Sequence, residues 1–232
     1  LEPLEILDLF SSSFDTGMMS GKTVLITAGP TQEPIDPVRF ITNKSSGKMG
    51  YSLAEAAADS GADVTLISGP VNIEAPQNCN LVSIKTAQEM HDAVMHHIKG
   101  MDVYIGTAAV SDYSPAHTKD SKIKKDGSNS PMILELKENQ DILKAVSELN
   151  DRPFVVGFAA ETNDLIRNAE KKLISKKLDL IVANDVSDKT IGFDSNDNEV
   201  TLITNSEKQI LTKQNKKKIS KKIIEFISER LN

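Results

Sequence analysis

The stretch FITNKSSGKMG, from Phe40 to Gly50, combines glycines, lysines, two serines and the start of a helical pattern, the parts from which proteins build an anion cradle. Ser45 or Ser46 would cap the helix that follows, and Gly47 would let a ligand approach the backbone N–H groups exposed there. Asn43, just before, offers a neutral amide donor suited to an oxygen that gains negative charge during acyl transfer, although it also reads as an ordinary loop cap. The stretch is neither a Walker loop nor a dinucleotide fingerprint. TGMMSGKT, from Thr16, ends in Gly-Lys-Thr, but its leading glycine is one residue too close and it precedes a strand instead of following one. A Rossmann fingerprint would also place an acid at the end of the second strand, which here ends in Ser68-Gly69-Pro70, so an NAD-linked reductase or a flavin dinucleotide site is a poor fit.

Other segments point toward the same kind of ligand. The connection from Gly29 to Gly50 is long for an α/β unit and stiffened by Pro30, Pro34 and Pro37, which favours a functional loop over filler. GTAAVSDY, Gly106 to Tyr113, puts small residues at a strand's carboxyl end, where a flat ligand finds room. Its Asp112 can bind a hydroxyl, a base amine or a magnesium ion, or simply cap a turn. KDSKIKKDG, Lys119 to Gly127, clusters four lysines, a pattern that by itself describes a solvated loop. GFAAET repeats the small-residue end and adds Phe158, and the next helix presents Lys172 and Lys176 four apart on one face. Lysines converging from separate segments on one sheet edge suggest a polyphosphate. The lysines of KQNKKKISKK near the C-terminus read as a solvated face beside Ile219, Ile223, Ile224 and Phe226, and His91, His96 and His97 as surface histidines without a second ligand group in reach.

The elements that must position these residues alternate along the chain. Strands are expected at TVLITAGP from Thr23, DVTLISGP from Asp63, LVSI from Leu81, DVYIGTAAV from Asp102, FVVGFAAE from Phe154 and LDLIVANDV from Leu178. A hairpin follows, EVTLIT from Glu199 and KQILTK from Lys208. Helices are expected at about 46–60, 87–99, 140–149, 162–177 and 215–231, the first stopped by Gly61. The fold class is α/β, Rossmann-like, with a mostly parallel central sheet, helices on both faces and a late β-hairpin.

With 232 residues, 39% hydrophobic and 26% charged, the chain has the composition of one soluble α/β domain, and no apolar run approaches the length of a membrane span. A net charge of -6 argues against general nucleic-acid binding, which needs a basic face. One cysteine, Cys79, excludes an internal disulfide framework and agrees with a cytoplasmic setting, where the sequon at Asn43 is chance. Residues 1–20, running from LEPLEIL into a Ser/Gly/Met stretch, read as a linker from a missing upstream domain, with the folded domain over 21–232.

AGPTQEPIDPVRFITNKSSGKMG, GTAAVSDY, KIKK, VVGFAAET and LDLIVANDV, in this order and spacing, closely resemble bacterial phosphopantothenoylcysteine synthetase, the second half of the bifunctional decarboxylase/synthetase of coenzyme A synthesis. The resemblance covers about residues 21–230. It implies a homodimer that joins 4'-phosphopantothenate to L-cysteine with CTP and Mg2+ through an acyl-cytidylate, downstream of a flavin-dependent decarboxylase whose flavin this fragment lacks. Eukaryotic relatives use ATP. A non-catalytic nucleotide-binding subunit is the alternative, and would carry flavin and histidine motifs absent here. Carried over by motif, Asn43 binds the acyl-cytidylate and stabilises the oxyanion, with Ala109 beside it on the substrate. Lys122 matches a lysine on a flexible flap needed for amide formation. Gly106, Thr107, Ala108 and Asp112 match the nucleotide-binding strand end, and Phe158, Lys172 and Lys176 its other nucleotide contacts. Gln140-Asp141-Ile142-Leu143 matches a nucleotide-contacting turn that usually begins with proline; backbone contacts survive that change. Ser45, Ser46 and Gly47 would hold a phosphate of either CTP or phosphopantothenate, and the resemblance names no magnesium ligands.

Overall fold

The computed structural model describes residues 17–125, 131–161, 164–185 and 195–231. The expected linker over 1–20 lies mostly outside them. Its last residues form a turn, Met19 is fully buried in the core, and the Met19 N–H donates to the Ser60 carbonyl at 2.9 Å.

Six parallel strands form the centre of an eight-stranded sheet. They are β1 (Thr23–Ala28), β4 (Asp63–Ser68), β5 (Cys79–Ser83), β6 (Val103–Gly106), β9 (Phe154–Glu161) and β10 (Leu180–Asp185). The antiparallel hairpin β11 (Asp197–Ile203) and β12 (Lys208–Asn215) extends one side, giving the order β12-β11-β10-β9-β6-β1-β4-β5. Counted along the parallel strands alone this is the doubly wound order, which reverses direction between β1 and β6. The register there runs from Val24 opposite Val103 to Thr27 opposite Gly106 and is prolonged by a bridge between Pro30 and Ala109.

Helices α1 (Lys48–Asp59), α2 (Ala87–His97), α3 (Ile142–Ser147), α4 (Leu165–Ser175) and α5 (Lys216–Ser228) cover both faces. Alternate residues of β1 therefore enter two cores. Val24, Ile26 and Ala28 meet Leu53, Ala57, Ile219 and Ile223 from α1 and α5, while Leu25 meets Met90, Val94, Val146 and Leu173 from α2, α3 and α4. Burial on both faces explains why the central strands read as continuous apolar runs. Thr86 caps α2 by accepting the Glu89 N–H at 3.2 Å, and the Glu89 carboxylate reaches back to the Thr86 N–H at 3.1 Å.

Three expectations need correction. The strand expected over DVYIGTAAV ends at Gly106, because Thr107 turns to donate its hydroxyl to the Thr27 carbonyl at 2.5 Å. Neither Ser45 nor Ser46 caps α1. The cap is Gly47, at φ 74, which makes no side-chain capping hydrogen bond; Ser45 Oγ instead accepts the N–H of Gly47 itself at 3.3 Å. A side chain at Gly47 would also meet Val71, its Cβ only 2.7 Å from Val71 Cγ1. Finally, the connection from Gly29 to Gly50 contains a ribbon, β2 (Gln32–Pro34) paired antiparallel with β3 (Phe40–Thr42). A second ribbon pairs β7 (Tyr113–Pro115) with β8 (Leu136–Glu138). Pairs of three-residue strands are too short to announce a period of two.

Candidate active site

Two cavities open at the carboxyl ends of the parallel strands, at the point where strand order reverses. The first, about 530 Å³, runs between the Gly106–Tyr113 segment and the start of α3; Gly106, Ala108, Ala109, Asp112, Lys172 and Lys176 line it, and Gln140 to Leu143 close one side. The second, about 500 Å³, runs over the start of α1; Asn43, Ser45, Ser46, Gly47, Thr107 and Phe158 belong to it. Ala108, Ala109, Asp112 and Lys172 line both, so the cavities share a wall.

Tyr104 walls the first cavity and is fully buried; its burial, opposed by a hydrogen bond with Thr27 and reinforced by the charge of Asp141, holds the phenol protonated far above its ordinary range. The turn that begins with Gln140 is fixed without a proline. The Asn139 N–H donates to the Asp112 carbonyl at 2.8 Å, its Nδ2 donates to the Ser111 carbonyl at 2.8 Å, and its Oδ1 accepts from Ser114 Oγ at 2.7 Å. On the other side Asp141 caps α3 by accepting the Lys144 N–H at 3.1 Å. Asp141 Oδ2 also lies 2.8 Å from Lys176 Nζ. Burial raises the Asp141 pKa, but the Lys176 hydrogen bond, the Lys144 N–H and the charges of Lys176 and Lys172 outweigh it and leave the carboxyl below its ordinary value.

In the second cavity, Asn43 Nδ2 donates to the Val110 carbonyl at 2.9 Å, which aims the amide across the shared wall and leaves its second N–H for a ligand. Lys172 Nζ donates to the Phe158 carbonyl at 2.7 Å, so the ammonium is held where the cavities meet. Gly50 lets α1 press against the end of β1: a Cβ there would lie 2.5 Å from both Ala28 Cβ and Thr107 Oγ1. That close approach brings the first turn of the helix to the cavity wall, with Lys48, Met49 and Gly50 all lining it.

Sequence reasoning missed several lining residues. Lys48, Asn184, Asn198 and Lys216 belong to the second cavity. Lys216 is the correction to the solvated-face reading of the C-terminal lysines. It is 5% exposed and donates to the Ser195 carbonyl at 2.6 Å, while Lys217, Lys218, Lys221 and Lys222 do face solvent. Its position next to the Asn215 cap was the available signal, since a first-turn residue points back past the helix end. Among the described residues, the lining of this cavity thus includes Lys44, Lys48, Lys172 and Lys216 against a single carboxylate, Asp112. Lys122 alone among the expected site residues lines neither cavity and is exposed. The Gly-Lys-Thr at Gly21 sits at the amino end of β1, at the opposite edge of the sheet from the cavities.

Residues 19–231 match the family model of the DNA/pantothenate metabolism flavoprotein C-terminal domain. The chain belongs to this family. It is 47% identical over 230 residues to the coenzyme A biosynthesis bifunctional protein CoaBC of Vibrio parahaemolyticus, covering 99% of this chain and 58% of that protein. Against CoaBC of Bacillus subtilis the identity is 48%, over 87% of this chain and 50% of that protein. The chain therefore spans little more than half the length of these curated relatives. The crystal structure of a CoaBC C-terminal domain superposes with a TM-score of 0.79 at 40% identity, covering 93% of this chain and 98% of that one. A Cab2 mutant in complex with phosphopantothenate-cysteine shares the fold, with a TM-score of 0.74 at 18% identity over 98% of this chain and 90% of that one.

Proposed function

We propose that this domain is a phosphopantothenate–cysteine ligase of coenzyme A biosynthesis, which activates 4'-phosphopantothenate with CTP as an acyl-cytidylate and transfers the acyl group to L-cysteine. The observation that carries the proposal is the shared wall at Ala108, Ala109, Asp112 and Lys172. A nucleotide whose base and ribose lie in the first cavity and whose phosphates reach over the wall into the second would meet the acyl group there, at the α-phosphorus. The names and bound product of the relatives supply the substrate class.

The chemistry follows from the charges. A carboxylate is a poor electrophile until one oxygen becomes a good leaving group, so it first attacks the α-phosphorus of CTP and expels pyrophosphate. Lys172, Lys48 and Lys216 would neutralise the departing polyphosphate, whose negative charge grows as the bond breaks. The amine of cysteine then attacks the acyl carbon, the carbonyl oxygen gains negative charge, and CMP leaves. Asn43 would donate to that oxygen with the N–H not spent on Val110. Lys122 would join at this second step, brought over the acyl-cytidylate from outside the cavities. Positioning and charge neutralisation supply most of the rate.

A magnesium ion fits this lining as a guest of the phosphates. Among the described residues no group of three or more His, Cys, Asp or Glu side chains converges, which suits a cation held by one carboxylate and substrate oxygens. Asp112 would supply the carboxylate and Asn184 Oδ1, a buried acceptor without a hydrogen-bond partner among the described residues, a second oxygen. The ion's contribution is to neutralise phosphate charge. A homodimer is supported by the apolar side chains exposed on and beside the two ribbons: Val38, Phe40, Tyr113, Met132, Ile133 and Leu136. No helix among the described residues is long and apolar enough to cross a membrane.

The test is to incubate the protein with magnesium, 4'-phosphopantothenate and either CTP or ATP, with and without cysteine, following pyrophosphate and products by mass spectrometry. Phosphopantothenoylcysteine formed with CTP in preference to ATP is the expected result. Preference for ATP would overturn the base choice, and nucleotide binding without consumption of either would replace the ligase with a non-catalytic binder.

A further inference from the structure

The carboxylate of Asp36 is buried at the tip of the β2–β3 ribbon and joins two segments that are 87 residues apart in sequence. Its Oδ1 accepts the backbone N–H groups of Val38 and Arg39, both at 2.9 Å, and so closes the turn between the two short strands. Its Oδ2 faces the other way. It accepts Arg39 Nε at 3.0 Å, Arg39 Nη2, and the backbone N–H of Ile123 at 3.1 Å. Arg39 Nη2 also donates to the Ile123 carbonyl at 3.1 Å, so a single ion pair grips Ile123 by both of its backbone polar groups. Two further bonds lay the same segment along the ribbon: Thr118 Oγ1 to the Pro34 carbonyl at 3.1 Å and the Lys119 N–H to the Ile35 carbonyl at 3.0 Å. Lys122 is the residue immediately before the gripped one.

The other end of the ribbon is equally fixed. Glu33 Oε1, from a buried side chain, accepts the Ala87 N–H at 3.0 Å, the Gln32 N–H donates to the Lys85 carbonyl at 2.8 Å, and Thr42 Oγ1 donates to the Thr31 carbonyl at 2.7 Å. Asn43 follows Thr42 directly. The ribbon is thus a short rigid strut with Asn43 at its root and the Lys122 segment tied to its tip.

We infer that Asp36 is a positioning residue that couples Lys122 to Asn43, holding the base of the Lys122 segment at a fixed distance from the acyl cavity so that both side chains serve the same amide-forming step. The inference rests on the ligase reading. Its physical basis is that hydrogen bonds to an ionised acceptor are short and directional, and a carboxylate with several of them has one orientation. The Arg39 side chain is 39% exposed, but the carboxylate it binds is fully enclosed, which separates this pair from a surface one in which both side chains are mobile and screened.

Asp36→Asn separates the two functions of the carboxylate. The asparagine oxygen can replace Oδ1 and keep the turn, but its NH2 then faces Arg39 and the Ile123 N–H, donor against donor. In this variant hydrogen exchange at the Ile123 amide is expected to accelerate at least about tenfold while exchange at Ile41 within the ribbon is unchanged. Single-turnover assays should show pyrophosphate release within about threefold of wild type and amide formation reduced by about thirtyfold or more, the range of a lost transition-state contact. Adding Lys122→Gln to Asp36→Asn should then cost little more than either alone, as expected of residues that act as a unit. Arg39→Lys, which keeps a charge but loses the fork that reaches the Ile123 carbonyl, serves as the second variant and should show the same split in weaker form. Unchanged exchange at Ile123 would overturn the clamp. Faster exchange at Ile123 with undiminished amide formation would overturn the coupling, as would a parallel loss of both half-reactions accompanied by faster exchange at Ile41. A wild-type protein that releases no pyrophosphate would sink the ligase reading and the coupling with it, whereas an active wild type with an indifferent Asp36→Asn sinks the coupling alone.

Discussion

Asn43 Nδ2 and the carbonyl oxygen of Val110 lie 2.9 Å apart although 67 residues separate them in sequence, and this bond aims the amide at the wall the two cavities share. Asn43→Asp would put two acceptors against one another and remove the donor for the acyl oxygen. Pyrophosphate release should survive, while amide formation should fall by about 10²–10³, the cost of one lost oxyanion donor. Rapid-quench measurement of the two half-reactions checks this, and an equal fall in both would reject the role.

Asp141 combines two functions, capping α3 and holding Lys176 beside the first cavity. Asp141→Ala should cost about 1 kcal/mol from the lost cap, which at this chain length lowers Tm by about 2–4 °C. It should also raise KM for the nucleotide more than it lowers kcat, because Lys176 loses its fixed place. Calorimetry and initial-rate kinetics read the two effects separately.

Acid should destabilise the fold through the same carboxylates. Arg39 first, then the N–H groups of Ile123, Val38 and Arg39 against the opposing effect of burial, hold Asp36 well below the ordinary carboxylate range; Asp141 is lowered as well. A folded pKa below the unfolded one means protonation favours the unfolded chain. The contribution is therefore complete above the unfolded value of about 3.9 and is lost as pH falls below it. Urea midpoints measured from pH 7 to pH 3 should drop at the acid end, and Asp36→Asn should flatten part of that drop.

Cys79 should react slowly with thiol reagents. Burial, and then the charges of Asp59 and Glu55, push its thiol above the ordinary range, and Sγ donates weakly to the Ala54 carbonyl at 3.7 Å. Only the thiolate is nucleophilic. Alkylation at pH 8 is expected to be at least about tenfold slower in the folded protein than in urea, with the folded rate still rising well above that pH.

Gly50→Val tests the close approach of α1 to the sheet. The new side chain would collide with Ala28 and Thr107, at a cost of about 1–3 kcal/mol, and displace Thr107 from the Thr27 carbonyl. Lower thermal stability together with weakened substrate binding is the expected outcome; unchanged KM would show that the wall does not depend on this contact.

What the sequence determined by itself is everything that a local period or a local small residue encodes. The runs at Thr23, Asp63, Phe154 and Leu178 are mostly apolar because helices bury both faces of their sheet, and the lone faces of α1 and α5 are legible from Leu53, Ala57, Ile219 and Ile223 at helical spacing. The small-residue strand ends at Gly106 and Ala159 marked the ligand side for the same reason, since a missing side chain is visible in one residue. Tertiary structure alone decided which of these places meet. The crossovers that order the strands bring Asn43 to Val110, Lys176 to Asp141 and Asp36 to Ile123, and they bury Lys216 against the α1 cavity while its neighbours stay in water. The ribbon strands β2 and β3 were hidden because three residues hold too little of a period, and the burial of Lys216 is signalled only by its place beside the Asn215 cap, not by its charge. Such pairings cost loop-closure entropy that only the completed sheet can offset, so no short stretch of sequence contains them.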